Sequence, residues 1–80
     1  MKNLTVYSKN NCAQCKMLKK QLDAKSITYK EINLDEEPDF IPVVKELGYS
    51  AAPVVVYGDD FHFYGFNPAK VRELIGLIEQ

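Results

Sequence analysis

Leu4-Thr5-Val6-Tyr7-Ser8-Lys9-Asn10-Asn11-Cys12-Ala13-Gln14-Cys15 sets a pair of thiols at the junction of a strand and a helix. The first four residues are β-formers and read as a short strand. Ser8 to Asn11 is polar and loop-like, and Asn11 is placed to cap the helix that follows. From Ala13 to about Ala24 the pattern is helical, because Cys15, Leu18 and Leu22 fall at i, i+3 and i+7 and share a face. This arrangement predicts Cys12 at the helix N-terminus, exposed, and Cys15 one turn in and more buried. A bridge between the two closes a minimal loop and removes little unfolded-state entropy, so it is a poor staple. It suits redox chemistry, since a helix terminus stabilises a thiolate.

The remaining segments extend the pattern. Ile27 to Asn33 alternates and reads as a second strand. The acidic run Asp35, Glu36, Glu37 and Asp39 leads into a helix whose Phe40, Val43, Val44 and Leu47 form an apolar stripe. Pro42 lies within this segment, so either it occupies the first turn or the helix starts later. Gly48 is a natural stop. Pro53 to Tyr57 is apolar on both faces, as a central strand should be. Gly58-Asp59-Asp60 turns the chain back into Phe61 to Tyr64, completing a hairpin. Asn67-Pro68 opens a last helix with Val71, Leu74, Ile75 and Ile78 as its buried stripe.

The order strand, helix, strand, helix, strand, strand, helix predicts an α/β fold. Strand–helix–strand implies a parallel, right-handed crossover, and the hairpin adds antiparallel pairing. The product is a mixed four-stranded sheet flanked by three helices, with helices on both faces. A dithiol at the first strand–helix junction of such a pattern reads as thioredoxin-like.

Bulk properties agree. The 80 residues make one domain, 1–80, with no repeat or linker. A chain of this size is near the lower limit for a core without staples, and its 46% apolar content supplies one. A net charge of −1 argues against a nucleic-acid module. No apolar run approaches a membrane span, and Met1-Lys2-Asn3-Leu4 leads into the strand without an apolar leader. The expected compartment is the reducing cytoplasm, where a close cysteine pair is catalytic or metal-binding rather than structural.

Within that frame Cys12 is the expected nucleophile, because only a thiolate attacks a disulfide sulfur. Lys9, Lys16, Lys19 and Lys20 cluster around it, and their positive field favours the thiolate, whereas the acidic run reads as solvated surface. Cys15 is the resolving thiol. A structural zinc ion wants four ligands, and two cysteines with His62 do not supply them in one chain. An ion or iron–sulfur cluster shared between two chains stays open as a minor reading. His62 itself reads as a solvated strand residue. Pro53 marks the start of a central strand, and a cis Ala52–Pro53 bond does not follow from sequence. Gly65 marks either a positive φ or a close approach. Phe63, Tyr64 and Phe66 read as packing residues, with Phe66, after a glycine in a loop, as the aromatic that a partner would meet.

Four motifs in order resemble the NrdH-type redoxins, glutaredoxin-like proteins of bacteria. They are Tyr7-Ser8-Lys9, Cys12-Ala13-Gln14-Cys15, Leu47-Gly48-Tyr49 with Ala52-Pro53-Val54-Val55-Val56, and Gly65-Phe66-Asn67-Pro68. The resemblance implies a thioredoxin fold with Pro53 as a cis-proline facing the dithiol, Cys12 as nucleophile and Cys15 as resolver. It implies a partner-binding surface at Tyr7, Lys9, Ala52, Pro53, Gly65 and Phe66, with no metal. It implies a monomer with no bound cofactor and neither nucleic acid nor membrane as partner. Electrons are implied to come from NADPH through thioredoxin reductase, a separate flavoprotein, and to pass to class Ib ribonucleotide reductase. The family usually carries Trp-Ser-Gly-Phe-Arg-Pro where this chain has Phe63-Tyr64-Gly65-Phe66-Asn67-Pro68. Phe66 and Asn67 also stand where typical glutaredoxins have a second glycine and an acidic residue that help hold glutathione. The glutathione-dependent glutaredoxin remains the alternative.

Overall fold

Two layers of helix sandwich one sheet, and the alternation of the strands decides which residues meet which layer. The computed structural model describes residues 3–80; the reading of Met1 and Lys2 lies outside the described residues. The elements are β1 (Leu4–Ser8), α1 (Ala13–Ala24), β2 (Lys30–Asn33), a 3₁₀ turn (Pro38–Phe40) running into α2 (Ile41–Glu46), β3 (Val54–Tyr57), β4 (Phe61–Tyr64) and α3 (Pro68–Ile78). The sheet order is β2-β1-β3-β4. β1 pairs with β2 in parallel and with β3 antiparallel, and β3 pairs antiparallel with β4. The first strand–helix–strand unit is therefore a parallel crossover, as predicted. The second is not: β3 lands beyond β1 and runs against it.

Leu4, Val6, Val55 and Phe63 face one side, where Leu18 and Leu22 of α1 and Val71 and Leu74 of α3 cover them. Tyr7, Ile32 and Val54 face the other, under Val44 of α2. Leu18, Leu22 and Leu74 are wholly buried; each contributes about 1.5–3 kcal/mol of apolar burial. Ile75 and Ile78 pack at the margin of the first core. Val43 does not join the second: it is 42% exposed, because α2 is only six residues long and turns one narrow face to the sheet. Pro42 lies in the first turn of α2, where its missing N–H costs nothing.

The second strand starts later than predicted. The chain leaves α1 through Ser26, at φ 55°, and the Ile27 amide donates back to the Leu22 carbonyl at 3.0 Å. That turn uses Ile27, so pairing with β1 begins at Lys30.

Candidate functional site

The dithiol sits where β1 ends and α1 begins. Asn11 is not the helix cap. It takes a left-handed φ of 55°, which asparagine tolerates, and so delivers Cys12 to the cap position. The Cys15 amide donates to Cys12 Sγ at 3.1 Å. Cys12 and Cys15 form a disulfide across a Cα–Cα distance of 5.2 Å.

Cys15 is fully buried and Cys12 is 8% exposed, so the expected contrast in exposure is small. The cause is the loop before β3. Cys12 Sγ lies 3.9 Å from the Ala52 carbonyl oxygen, and Ala52 is joined to Pro53 by a cis peptide bond. The sequence alone did not require that isomer; the family resemblance did. Pro53 is buried, and its carbonyl accepts the Gly65 amide at 2.7 Å.

Gly65 resolves both of its open alternatives together. Its φ is +78°, and a Cβ there would stand 3.3 Å from Gln14 Oε1. The Gln14 side chain reaches across the cleft mouth, and Phe66 N–H donates to Oε1 at 2.9 Å. Gln14 is a residue that sequence reasoning missed. Nothing marked it except its place between the cysteines, because its partner is a backbone amide 52 positions away. A cleft of about 360 Å³ opens here, lined by Gln14, Ala51, Ala52, Tyr64, Gly65 and Phe66, with Asn67 at its end. The structure thus brings Cys12, Ala52, Pro53, Gly65 and Phe66 together.

Two other expected residues lie elsewhere. Lys9 lines a separate 160 Å³ pocket that shares Ala51 and Ala52 with the cleft and is otherwise formed with Leu34, Val44 and Tyr49. Tyr7 is buried in the second core, its ring 6.3 Å from that of Phe40. Phe66 is half-buried and packs partly against the first core.

The charges around the site are partly spoken for. Lys19 Nζ donates to Glu31 Oε2 at 2.8 Å, so its charge is matched there and is not free for the thiols. Ser8, buried at the end of β1, donates to the same oxygen at 2.7 Å. The Lys19 and Ser8 hydrogen bonds, in that order, hold the Glu31 carboxyl below its usual range against a smaller opposing effect of burial. Asp35, from the run read as solvated, accepts the Asn10 amide at 2.8 Å and steadies the loop before Cys12. His62 is half-buried in β4, and its Nδ1 shares a 2.7 Å hydrogen bond with the Tyr49 hydroxyl. The Tyr49 ring stacks on Tyr64 at 5.8 Å. Among the described residues, no three His, Cys, Asp or Glu side chains are grouped to hold a metal ion, and no helix is long and apolar enough to cross a membrane.

The glutaredoxin family model matches residues 4–62. The glutaredoxin-like protein NrdH of Lactococcus lactis subsp. cremoris is 54% identical over 71 residues, covering 89% of this chain and 97% of the relative. Its counterpart from Salmonella typhimurium is 31% identical over 72 residues, covering 90% and 88%. The solved structure of the glutaredoxin-like protein NrdH-redoxin from Escherichia coli, described as having a thioredoxin-like activity profile, superposes with a TM-score of 0.81 at 28% identity, over 90% of this chain and 93% of that one.

Proposed function

The chain belongs to the glutaredoxin family and, within it, to the NrdH-type glutaredoxin-like redoxins; on that premise we propose that it donates electrons to class Ib ribonucleotide reductase and is itself reduced by thioredoxin reductase at the expense of NADPH. The observation that carries the exchange chemistry is the Cys12–Cys15 pair capping α1 against the Ala52–Pro53 loop.

In the dithiol form the Cys15 amide and the positive end of α1 favour a thiolate at Cys12. That thiolate attacks one sulfur of the partner's disulfide. The new bond is a mixed disulfide, and the partner's other sulfur leaves as a thiolate and takes a proton. Cys15, deprotonated, then attacks Cys12 Sγ. The Cys12–Cys15 bridge forms, and the partner's second sulfur leaves and is protonated in turn. Two electrons have passed to the partner. Thioredoxin reductase returns them by the reverse exchange.

In this reading Ala52, Pro53, Gly65 and Phe66 form the partner-facing wall. Lys9 extends it beyond Ala52, and Tyr7 supports the loop from the core. The chain works as a single-domain monomer in the cytoplasm. A thioredoxin-like electron source is supported by the activity profile in the description of the Escherichia coli redoxin, and by Phe66 and Asn67 standing where glutathione would be held.

The test is NADPH consumption with a class Ib ribonucleotide reductase as acceptor, fed once by thioredoxin reductase and once by glutathione with its reductase. Turnover is expected with the first supply. Turnover with the second alone would overturn the reading.

A further inference from the structure

Gln14 has one half of its carboxamide engaged. Phe66 N–H is a donor, so only the oxygen of the carboxamide can face it, and Oε1 does so at 2.9 Å. That bond fixes the amide plane and turns Nε2 away from Phe66. Among the described residues Nε2 has no partner, and Gln14 lines the cleft beside the dithiol. Ala52 lines the same cleft; its N–H is likewise without a partner among the described residues, and its carbonyl lies 3.9 Å from Cys12 Sγ. The cleft therefore offers an unspent main-chain N–H at Ala52 and a pre-oriented amide donor at Gln14. A polypeptide carries a carbonyl and an N–H at nearly every residue and can answer both groups at once; a small disulfide without amide groups, such as hydroxyethyl disulfide, cannot.

We propose that Gln14 is a specificity-determining residue, whose Nε2 donates to a main-chain carbonyl of a polypeptide disulfide entering the cleft and so favours polypeptide disulfides over small ones that lack amide groups. The inference rests on the dithiol-exchange reading and is independent of which reductase or acceptor the redoxin serves. Holding the donor in place in advance lowers the ordering cost of binding. One hydrogen bond of this kind corresponds to about a tenfold change in rate constant.

The donor and the clamp can be separated. Gln14→Glu keeps an oxygen for the Phe66 amide and replaces the Nε2 donor with a second acceptor. Gln14→Leu removes both. Each variant, reduced beforehand, is mixed with a two-cysteine peptide disulfide and, separately, with hydroxyethyl disulfide, and second-order rate constants are measured. The Cys12 pKa is read from thiolate absorbance, and rates are compared per thiolate to remove the effect of the added charge. Gln14→Glu is expected to lower the peptide rate about tenfold and to leave the hydroxyethyl disulfide rate within about twofold. Gln14→Leu should lose at least as much on the peptide. An unchanged peptide rate in Gln14→Glu, or equal losses on both disulfides, overturns the proposal. If the wild-type protein reduced neither disulfide, the exchange reading would fail, and the proposal with it. If it reduced both but drew no electrons from thioredoxin reductase, only the choice of partners would fall.

Discussion

Cys12 caps the helix that carries Cys15: its sulfur accepts the Cys15 amide at 3.1 Å. The two thiols are thus tied to one turn of backbone, and their roles are unequal. The one at the cap faces the Ala52 carbonyl, and the one in the first turn is sealed in the core. Cys12→Ser should abolish turnover. Cys15→Ser should retain the attack and stall at the mixed disulfide, visible by mass spectrometry as a covalent adduct that reductant releases. Normal turnover of a protein disulfide by Cys15→Ser would show that the second thiol is not the resolver.

Gly65 is held by two constraints that an added methyl would violate together. Its φ of +78° lies in the left-handed region, and a Cβ would crowd Gln14 Oε1 at 3.3 Å. The backbone cost alone is about 1–2 kcal/mol. For a domain of this size that corresponds to a fall in Tm of about 4–8 °C per kcal/mol. Gly65→Ala should show this loss by thermal melting. It should also weaken the Phe66–Gln14 contact, seen as faster hydrogen exchange at the Phe66 amide. A melting temperature equal to wild type would mean that the turn relaxes freely.

Most of this architecture is legible in the sequence because it rests on local rules. The Leu18 and Leu22 stripe, the apolar β3 and the Asn67-Pro68 helix start all follow from period and capping chemistry. The misreadings have two causes: a local turn that the residue pattern does not mark, and partners distant in sequence. Ser26 diverts Ile27 out of β2 through a bond to Leu22. The Tyr49 hydroxyl, 13 positions away, is the partner of His62 that its own segment does not announce. Lys19 looked like part of a field on the thiols until Glu31, on the neighbouring strand, claimed it. Within the site, the dithiol was plain and Gln14 was invisible, since a backbone amide as partner leaves no mark in composition.

Asn67 opens α3 and accepts the amides of Ala69 at 3.1 Å and Lys70 at 3.3 Å. It follows directly on the Gly65–Phe66 segment, so the same residue anchors a helix and the end of the cleft wall. Asn67→Ala should cost about 1 kcal/mol, while Asn67→Asp, which keeps the acceptor at a positive helix end, should cost less. Urea denaturation of the three proteins gives the comparison. Equal midpoints for Asn67→Ala and wild type would remove the cap from the account of α3.

Glu31 joins β2 to α1 through Lys19 and to the end of β1 through Ser8, and those bonds hold its carboxyl below the usual range. The sign follows from that direction. A carboxyl depressed in the folded state binds its proton less readily there than in the unfolded chain. It contributes stability above its ordinary pKa, and that contribution is lost as pH falls through the folded value. Glu31→Gln should therefore melt below wild type at neutral pH, and the gap should close on acidification below the ordinary carboxylate range. The gap is small, below about 1 kcal/mol, because both partners of the ion pair are part-exposed and screened by solvent. Added salt should narrow it further at neutral pH. Thermal melts of both proteins from about pH 7 to about pH 3 supply the measurement. A gap that stayed constant across that range would place the effect of the substitution in packing, not in the charge on Glu31.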